Sequence, residues 1–392
     1  LDGACNDLYF VPVFIGYDQV LEEDAYLKEI TGGKKNPENL KGLFRIHKFL
    51  KKKYGKVYIR FDDPISVKNY IKKHQMDLTK TTQDEYISFV KKFGYKLIHS
   101  INANAVATPH GIIASGVLNC PKNSFTKKQL FSRVRLYMNM LVFMKSELSD
   151  SLLLDQDNAL KSVTQDFIDR NFIEYADEDD KEINENTIFI VKDNKRLILD
   201  YYKNSVISFF VQYAYTAVAI LEIDRFVFSS EDLTLRYRFL EKMFTDEFFY
   251  DEDITCEQNI ARSIKGYVSE GILVPDATIY DQYRITSKGF RKLKWFASFL
   301  LPFFESYKTS LFYFEKTKNN KYDGKEMVKK ISALGTKLYK GKLITLKESL
   351  NQINYKNSAN FFLKNNINGS EDHVQIEYYK TIIDRLILLI ST

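Results

Sequence analysis

Histidine, the residue best suited to general acid–base chemistry, is scarce in this sequence. Five histidines stand at positions 47, 74, 99, 110 and 373. A histidine paired with an aspartate five positions later can act as a general base, because the carboxylate orients the imidazole. The residues five positions after the histidines are Lys52, Thr79, Asn104, Ser115 and Tyr378. None of these is acidic, so the sequence contains no dyad of this spacing.

The individual candidate acids and bases have structural explanations. His47 falls on the apolar face of a predicted helix, and His110 stands between Pro109 and Gly111, a setting typical of a turn. The run of carboxylates at residues 22–24 consists of sequence neighbours, whose side chains do not converge as an acid–base pair would. No catalytic residue is predicted in this chain.

Motifs for cofactors and metals are also missing. The sequence has no Gly-x-Gly-x-x-Gly, P-loop, Gly-x-Ser-x-Gly or His-Glu-x-x-His pattern. Its cysteines, Cys5, Cys120 and Cys256, are far apart and form no Cys-x-x-Cys pair. We therefore expect no cofactor, no metal site and no disulfide framework, which suits a reducing compartment.

Positive charge is concentrated in one segment. The formal net charge is +6, but residues 34–73 contain 13 Lys or Arg against three acidic residues, a net of +10. Such a segment would attract a phosphate-bearing substrate, anionic lipid or nucleic acid, or it is simply a solvated helix face. Charge alone does not choose between these interpretations.

The first 75 residues show an α/β pattern. Residues 9–17 form a nearly unbroken apolar run, typical of a strand buried on both faces in a parallel sheet. A helix is predicted from Asn36 to Gly55, and residues 57–61 alternate as a second strand. Ser66 can cap a following helix. This unit lacks the strands needed to complete a sheet.

The remaining chain is mainly helical by its periodicity. Helices are predicted over residues 86–97, 126–146, 158–170 and 200–221, and a hairpin over residues 187–199. The apolar stretch 206–221 is too short and too interrupted for a membrane span, so we predict a buried helix. Helices followed by two strands at residues 232–293 resemble a winged helix.

The N-terminal segment resembles a known family. Val11-Pro12-Val13-Phe14-Ile15-Gly16-Tyr17-Asp18, followed by Val20-Leu21-Glu22-Glu23, is similar to the last of four sequence blocks of the glycerol-3-phosphate acyltransferases, of the bacterial membrane-associated type. Matches continue in Gly32-Gly33-Lys34-Lys35, Leu40-Lys41-Gly42-Leu43 and Tyr54-Gly55-Lys56-Val57-Tyr58. The resemblance is dense over residues 1–70 and patchy beyond them.

The resemblance implies a function in phospholipid synthesis. In the family, a His-Asp dyad deprotonates the 1-hydroxyl of glycerol 3-phosphate, which attacks the thioester of acyl-CoA or acyl-acyl carrier protein to give lysophosphatidic acid. The implied location is peripheral, on the cytoplasmic face of the cell membrane, with an anionic membrane surface and no nucleic acid as partner. Because the dyad block is missing, this chain is expected to be an inactive C-terminal part of the enzyme.

The resemblance also supplies candidate binding residues and a domain division. Pro12, Gly16 and Tyr17 would shape the floor of a substrate pocket, while Arg45, Lys48 and Lys52 are candidate phosphate or lipid contacts. We expect the C-terminal part of an α/β acyltransferase domain at residues 1–75, a helical region at 76–231, a winged-helix-like unit at 232–293 and a helical region at 294–392. Dihydroxyacetone-phosphate acyltransferase activity and a non-catalytic nucleic-acid-binding or docking module are the alternatives.

Overall fold

The structure is a computed structural model. It describes residues 6–19, 23, 27, 55–77, 80–120, 122–177, 184–251, 253–318 and 324–391. Short strands and two helices make up its first part: β1 (Tyr9–Phe10), β2 (Val13–Tyr17), β3 (Val57–Phe61), β4 (Ile65–Ser66), α1 (Val67–Lys73) and α2 (Gln83–Ala103). The helix expected between Asn36 and Gly55 falls almost entirely outside the described residues.

The strands of this first part are paired antiparallel. β2 pairs with β3 from Val13–Phe61 to Tyr17–Val57, and β1 pairs with β4. The prediction of one doubly buried strand in a parallel sheet is therefore wrong. Pro12 has no N–H for a ladder and separates β1 from β2, and Ile15 is 52% exposed. The strand at residues 57–61 and the Ser66 cap, which accepts a hydrogen bond from Asn69 N, are confirmed. The α/β acyltransferase arrangement expected here is not confirmed.

The rest of the described chain is mainly helical, as predicted. Its elements are α3 (Pro109–Leu118), β5 (Ser124–Thr126), α4 (Lys127–Phe143), α5 (Asp150–Leu154), α6 (Gln156–Asp169), β6 (Ile173–Tyr175), β7 (Ile188–Val191), α7 (Arg196–Asn204), α8 (Ile207–Ile223), β8 (Val227–Ser229), α9 (Glu231–Met243), α10 (Cys256–Ser269), β9 (Leu273–Pro275), β10 (Gln282–Ile285), α11 (Ser287–Ala297), α12 (Leu301–Lys316), α13 (Gly324–Lys340), α14 (Gln352–Lys364) and α15 (His373–Ser391).

Helix α8 lies at the centre of the core. It packs against α9, α10, α11 and α15, and most of its side chains are buried, which confirms the buried helix predicted there. Aromatic side chains fill the space around it; for example, the Phe210 ring stacks 5.1 Å from that of Phe299. In the described part of the chain no single helix is long and apolar enough to span a membrane; by length and composition alone, the bent pair Asp193–Asn204 and Ile207–Ile223 could do so.

The helix predicted over residues 200–221 is interrupted. α7 and α8 meet at an angle of 95°, because Val206 leaves helical geometry with φ −116° and ψ 1°. Ser205 Oγ donates a hydrogen bond to the Tyr202 carbonyl at 2.7 Å. This bond gives a partner to one of the backbone carbonyls at the C-terminal end of α7. Gly111 of α3 packs against this bend so closely that a Cβ there would stand 2.6 Å from Val206. Tertiary packing therefore sets the break, and helical periodicity does not reveal it.

Two small antiparallel sheets flank the helices. One has the order β5-β7-β6 and the other β8-β10-β9. The hairpin predicted over residues 187–199 is wrong, because β7 pairs with β5 and β6 and residues 196–199 begin α7 instead of forming a strand. The two strands predicted after α10 are present as β9 and β10. The likeness to a winged helix and the four-unit domain division stay predictions.

Candidate functional site

A cavity of about 1010 Å³ lies between the β2–β3 pair and the helical part of the protein. We call it the β2 cavity. Its lining includes residues 14–17 of β2, residues 102–106 at the end of α2, residues 144–147 after α4, the α7–α8 junction, residues 246–250 after α9 and residues 351–357 at the start of α14. Residues far apart in sequence therefore converge on one site.

Two of the residues selected from the sequence line this cavity. Gly16 and Tyr17 are part of its β2 wall, whereas Pro12 is buried beside it and its carbonyl accepts a hydrogen bond from Asp62 N at 2.9 Å. A Cβ on Gly16 would stand 2.7 Å from the Phe14 ring, so glycine here lets that ring fold back along the strand. Arg45, Lys48 and Lys52 lie outside the described residues.

The open end of β2 is fixed by Asp18. Its buried carboxylate accepts hydrogen bonds from Lys56 N at 2.9 Å and from the Tyr58 hydroxyl at 3.4 Å. Burial, with the nearby Asp18 charge, raises the pKa of Tyr58 to about 12. Gly55 adopts φ +79° and approaches Asp18 closely. These contacts of Asp18 align β2 with β3 and keep Gly16 and Tyr17 in the wall of the cavity.

Glu23 connects the family-like block to the helices. Its Oε1 accepts hydrogen bonds from Arg170 of α6 and Tyr202 of α7, and Arg170 also contacts Asp166 at 3.2 Å. Burial and the contact with Glu23 raise the pKa of Tyr202. The carboxylate run at residues 22–24 gave no sign of this role, because the partner is a half-buried arginine 147 positions away in the sequence.

Glu247 is a functional candidate that sequence reasoning missed. It lines the β2 cavity just after α9, and Asn357 Nδ2 donates to its Oε2 at 2.8 Å. Its Oε1 is inaccessible to solvent and has no hydrogen-bond partner among the described residues. Burial raises the pKa of this carboxyl to about 8, although interactions with the Asn357 and Tyr307 side chains lower it by a smaller amount. Glu247 is therefore largely protonated at neutral pH.

Charged groups form part of the cavity lining. Arg60 of β3 forms an ion pair with Glu147, and Lys145, with φ +55°, lies two residues before Glu147. His99 Nδ1 stands 3.9 Å from Asp251, and burial lowers the pKa of this imidazole. The lining therefore combines charged side chains with amide, hydroxyl and aromatic groups.

The described residues do not place a catalytic dyad in the cavity. His110, buried in the first turn of α3 instead of in the predicted turn, has its Nε2 3.8 Å from Asp166 Oδ2. Neither ring nitrogen makes a hydrogen bond to a described residue, and Tyr202 and Phe167 pack against the ring. No group of three or more possible metal ligands exists within the described ranges.

The sequence matches a protein-family model across most of its length. The model described as "Glycerol-3-phosphate acyltransferase C-terminal region" covers residues 26–371. The chain belongs to this family. The family resemblance found in the sequence is confirmed, and the matched stretch includes every wall of the β2 cavity except β2 itself.

Curated relatives carry two related names. The chain is 25% identical to the dihydroxyacetone phosphate acyltransferase of Oryctolagus cuniculus over 82% of this chain and 48% of the relative. It is 24% identical to the glycerol-3-phosphate acyltransferase of Pasteurella multocida (strain Pm70) over 64% of this chain and 31% of the relative. For the protein of that name from Actinobacillus pleuropneumoniae serotype 5b, identity is 30% over 40% of this chain. The chain thus spans about half or less of the length of these relatives.

Proposed function

We propose that this chain is the C-terminal region of an enzyme that transfers a fatty acyl group to glycerol 3-phosphate in glycerolipid synthesis. The family match over residues 26–371 carries the proposal, supported by relatives named as glycerol-3-phosphate acyltransferases. The β2 cavity adds a site of suitable size, since ligand pockets have volumes of about 300–1,000 Å³.

The proposed reaction is an acyl transfer from a thioester. The 1-hydroxyl of glycerol 3-phosphate attacks the thioester carbonyl of acyl-CoA or acyl-acyl carrier protein. Its proton passes to a general base, the carbon–sulfur bond breaks, and lysophosphatidic acid and the free thiol result. This sequence has no His-x-x-x-x-Asp dyad, so we assign the base to a segment outside it and expect no turnover from the 392 residues alone.

The role proposed for this chain is to bind and shape. β2 supplies Gly16 and Tyr17 as one wall of the cavity, and the helices supply the others. The basic segment at residues 34–73 would favour a phosphate-bearing substrate and an anionic membrane surface. We propose peripheral binding at the cytoplasmic face of the membrane.

Dihydroxyacetone phosphate is a second candidate acceptor. The observation that favours it is the coverage of the Oryctolagus cuniculus relative, whose match extends over more of this chain than the Pasteurella multocida match does. Both acceptors are small phosphate esters with a hydroxyl at the reacting carbon. The basic segment would attract either one.

The test is an acyl-transfer assay on the protein encoded by the complete natural reading frame. Purified protein is given acyl-CoA or acyl-acyl carrier protein with each acceptor, and kcat/KM is compared. Transfer to glycerol 3-phosphate at a higher kcat/KM supports the proposal, and a preference for dihydroxyacetone phosphate supports the second candidate. Absence of transfer to both acceptors contradicts the enzyme assignment. Turnover by the isolated 392 residues would contradict the assignment of the base to another segment.

Vesicle and DNA binding test the remaining parts of the proposal. We expect cosedimentation with vesicles containing anionic lipid, weakened by salt, and no binding to neutral vesicles. In a winged-helix unit α10 would be the helix that faces DNA, and its only cations are Arg262 and Lys265. Strong, salt-sensitive DNA affinity would instead favour a nucleic-acid-binding module.

A further inference from the structure

A second pocket, of about 490 Å³, lies between the end of α3, the start of α12 and the end of α15. We call it the α12–α15 pocket, and its lining shares no residue with that of the β2 cavity. Each of these three helices contributes an aliphatic side chain, respectively Leu118, Leu301 and Ile387. The thiol of Cys120, two residues beyond α3, is part of the same lining. The pocket therefore combines an apolar wall with one potential nucleophile.

The charged side chains in this lining already have partners. Glu348, Lys203 and Lys308 each form an ion pair with another side chain, at 2.6 or 2.7 Å. The carboxylate of Glu305 accepts hydrogen bonds from Thr345, Leu346 and Ser349. A ligand would find few free ionic partners here. An aliphatic chain, in contrast, would cover apolar surface such as that of Leu388, which is exposed.

Next to Cys120 lies a buried guanidinium. Arg133 of α4 is 3% exposed, and its Nε donates to the Gly116 carbonyl at 2.6 Å. Its Nη2 is buried and has no hydrogen-bond partner among the described residues. The Phe125 and Trp295 rings lie 5.3 and 6.0 Å from the guanidinium carbon, and such contacts compensate only part of a buried charge. This cation therefore calls for a negative partner.

Cys120 is the group that can supply this negative charge. Burial lowers the pKa of Arg133, and the described groups whose negative charge would oppose this effect are the Cys120 thiol and the Tyr137 hydroxyl, with no carboxylate among them. Burial raises the pKa of Tyr137, whose hydroxyl already donates to the Trp295 carbonyl at 3.0 Å. Tyr137 therefore stays neutral. A cation beside a thiol favours the thiolate, which is the nucleophilic form of cysteine.

We propose that Cys120 is a nucleophile that accepts an acyl group from a long-chain acyl thioester, and that the acyl chain then occupies the α12–α15 pocket. The Cys120 sulfur attacks the thioester carbonyl, a carbon–sulfur bond forms there, and the bond from the carbonyl carbon to the donor's sulfur breaks. The donor leaves as a thiolate and takes up the proton lost by Cys120. Arg133 acts as a positioning residue for the attacking sulfur. The inference rests on the proposed function for its donor, because acyl-CoA is a thioester named there.

Acylation is measured on the 392-residue chain carrying Cys5→Ser, which removes the cysteine outside the described residues. The purified chain is incubated with palmitoyl-CoA and analysed by intact mass, neutral hydroxylamine and peptide mapping. We expect one acyl group, released by hydroxylamine and located at Cys120, and no labelling of the Cys120→Ser variant. Cys256 is the internal control: burial, then the nearby carboxylates of α9 and α10, raise the pKa of its thiol to about 11, so it should stay unlabelled.

Two pairs of variants test the pocket and the guanidinium. Leu388→Trp, at a position of the lining that is 62% exposed, should slow labelling by palmitoyl-CoA about tenfold by filling the pocket, and leave labelling by acetyl-CoA unchanged. Leu154→Trp, 83% exposed on α5 and in neither lining, is the matched control. Arg133→Met should slow labelling by both donors about tenfold, whereas Arg133→Lys, which keeps the positive charge, should retain more of the rate.

The proposal is overturned if the folded chain gains no acyl group, if the Cys120→Ser variant is labelled as fast as its parent, or if palmitoyl-CoA labels Leu388→Trp and Leu154→Trp equally fast. The Leu388→Trp comparison decides even if Arg133→Met does not fold. Acyl transfer to glycerol 3-phosphate by the complete protein, with Cys120 unlabelled, would refute this inference and leave the proposed function standing. Labelling of Cys120 without transfer to either acceptor would do the reverse.

Discussion

Arg196 and Glu348 form a bidentate ion pair inside the protein. Arg196 Nε donates to Glu348 Oε2 at 2.8 Å and Nη2 donates to Oε1 at 2.6 Å, with 3% and 1% of the side chains exposed. Burial opposes ionisation of Glu348, but the Arg196 charge and its hydrogen bonds hold the pKa of that carboxyl below its usual range. The pair ties the start of α7 to the turn before α14.

Breaking this pair from one side should be costly. We expect Glu348→Gln to lower the free energy of unfolding by about 3–5 kcal/mol, because the buried Arg196 charge loses its counterion. The double variant Arg196→Met with Glu348→Leu should lose less than Glu348→Gln alone. Urea unfolding measures the free energy of unfolding of both variants. The control is Glu326→Gln, which breaks the exposed ion pair with Lys330 and should lower the free energy of unfolding by less than about 1 kcal/mol. A loss below about 1 kcal/mol for Glu348→Gln would show that the pair contributes little.

Glu247 should make stability depend on pH. Its pKa is raised to about 8 in the folded protein from an ordinary value of 4.5, so folding favours the protonated carboxyl. The contribution of this group is complete below about pH 4.5 and is lost as the pH rises through 8, by at most about 1.4 kcal/mol per pH unit. Thermal or urea unfolding of wild type and Glu247→Gln from pH 5 to 9 measures it. The variant should gain relative stability as pH rises; a constant difference would contradict the shift.

Gly289 should not tolerate a side chain. A Cβ there would stand 2.1 Å from the Ile272 carbonyl oxygen, which is backbone and cannot rotate away. We expect Gly289→Ala to destabilise the protein by about 2 kcal/mol or more through this overlap. Gly94→Ala is the matched control, since Gly94 is inside helix α2 with open space around its Cβ position. That variant should stabilise by about 0.5–1 kcal/mol, and equal effects of the two changes would contradict the packing argument.

Glu23 and Asp166 should contribute non-additively to stability, because both contact Arg170. Glu23→Gln removes one partner charge, but Asp166 still contacts Arg170 at 3.2 Å, so we expect a loss of only about 1 kcal/mol. Glu23→Gln combined with Asp166→Asn should cost more than the sum of the single changes, because Arg170 then has neither charge. Urea unfolding completes the double-mutant cycle. Strict additivity would mean that the two carboxylates do not share Arg170, and the exposed Glu185→Gln provides a control.

Local signals in the sequence were sufficient to predict many of the helices and the strand β3. Thr126 forms the capping box that begins α4, and the alternation at residues 57–61 became β3. The apolar run at residues 9–17 led to a wrong prediction. A run of this kind fits one strand of a parallel sheet as well as two short antiparallel strands separated by Pro12. The bend after Asn204 depends on Gly111 of another helix, which no local pattern contains.

The candidate site was only partly predictable for the same reason. Gly16 and Tyr17 were identified through the family-like block, and they line the β2 cavity. Glu247 carries no motif, and its raised pKa arises from burial among side chains distant in the sequence. Asn357, which donates a hydrogen bond to the Glu247 carboxyl group, lies 110 positions away. Such a group becomes recognisable only when the helices have been placed around it.

The position of α8 in the chain has a consequence for synthesis on the ribosome. This apolar helix ends at Ile223, yet α15, which packs against it, begins only at His373. At about 5–20 residues per second, roughly 8–30 s pass between the emergence of the two helices. During that time the surface of α8 that α15 will cover is open to solvent and to other nascent chains. We expect newly made chains to need a chaperone until translation has delivered the last helix.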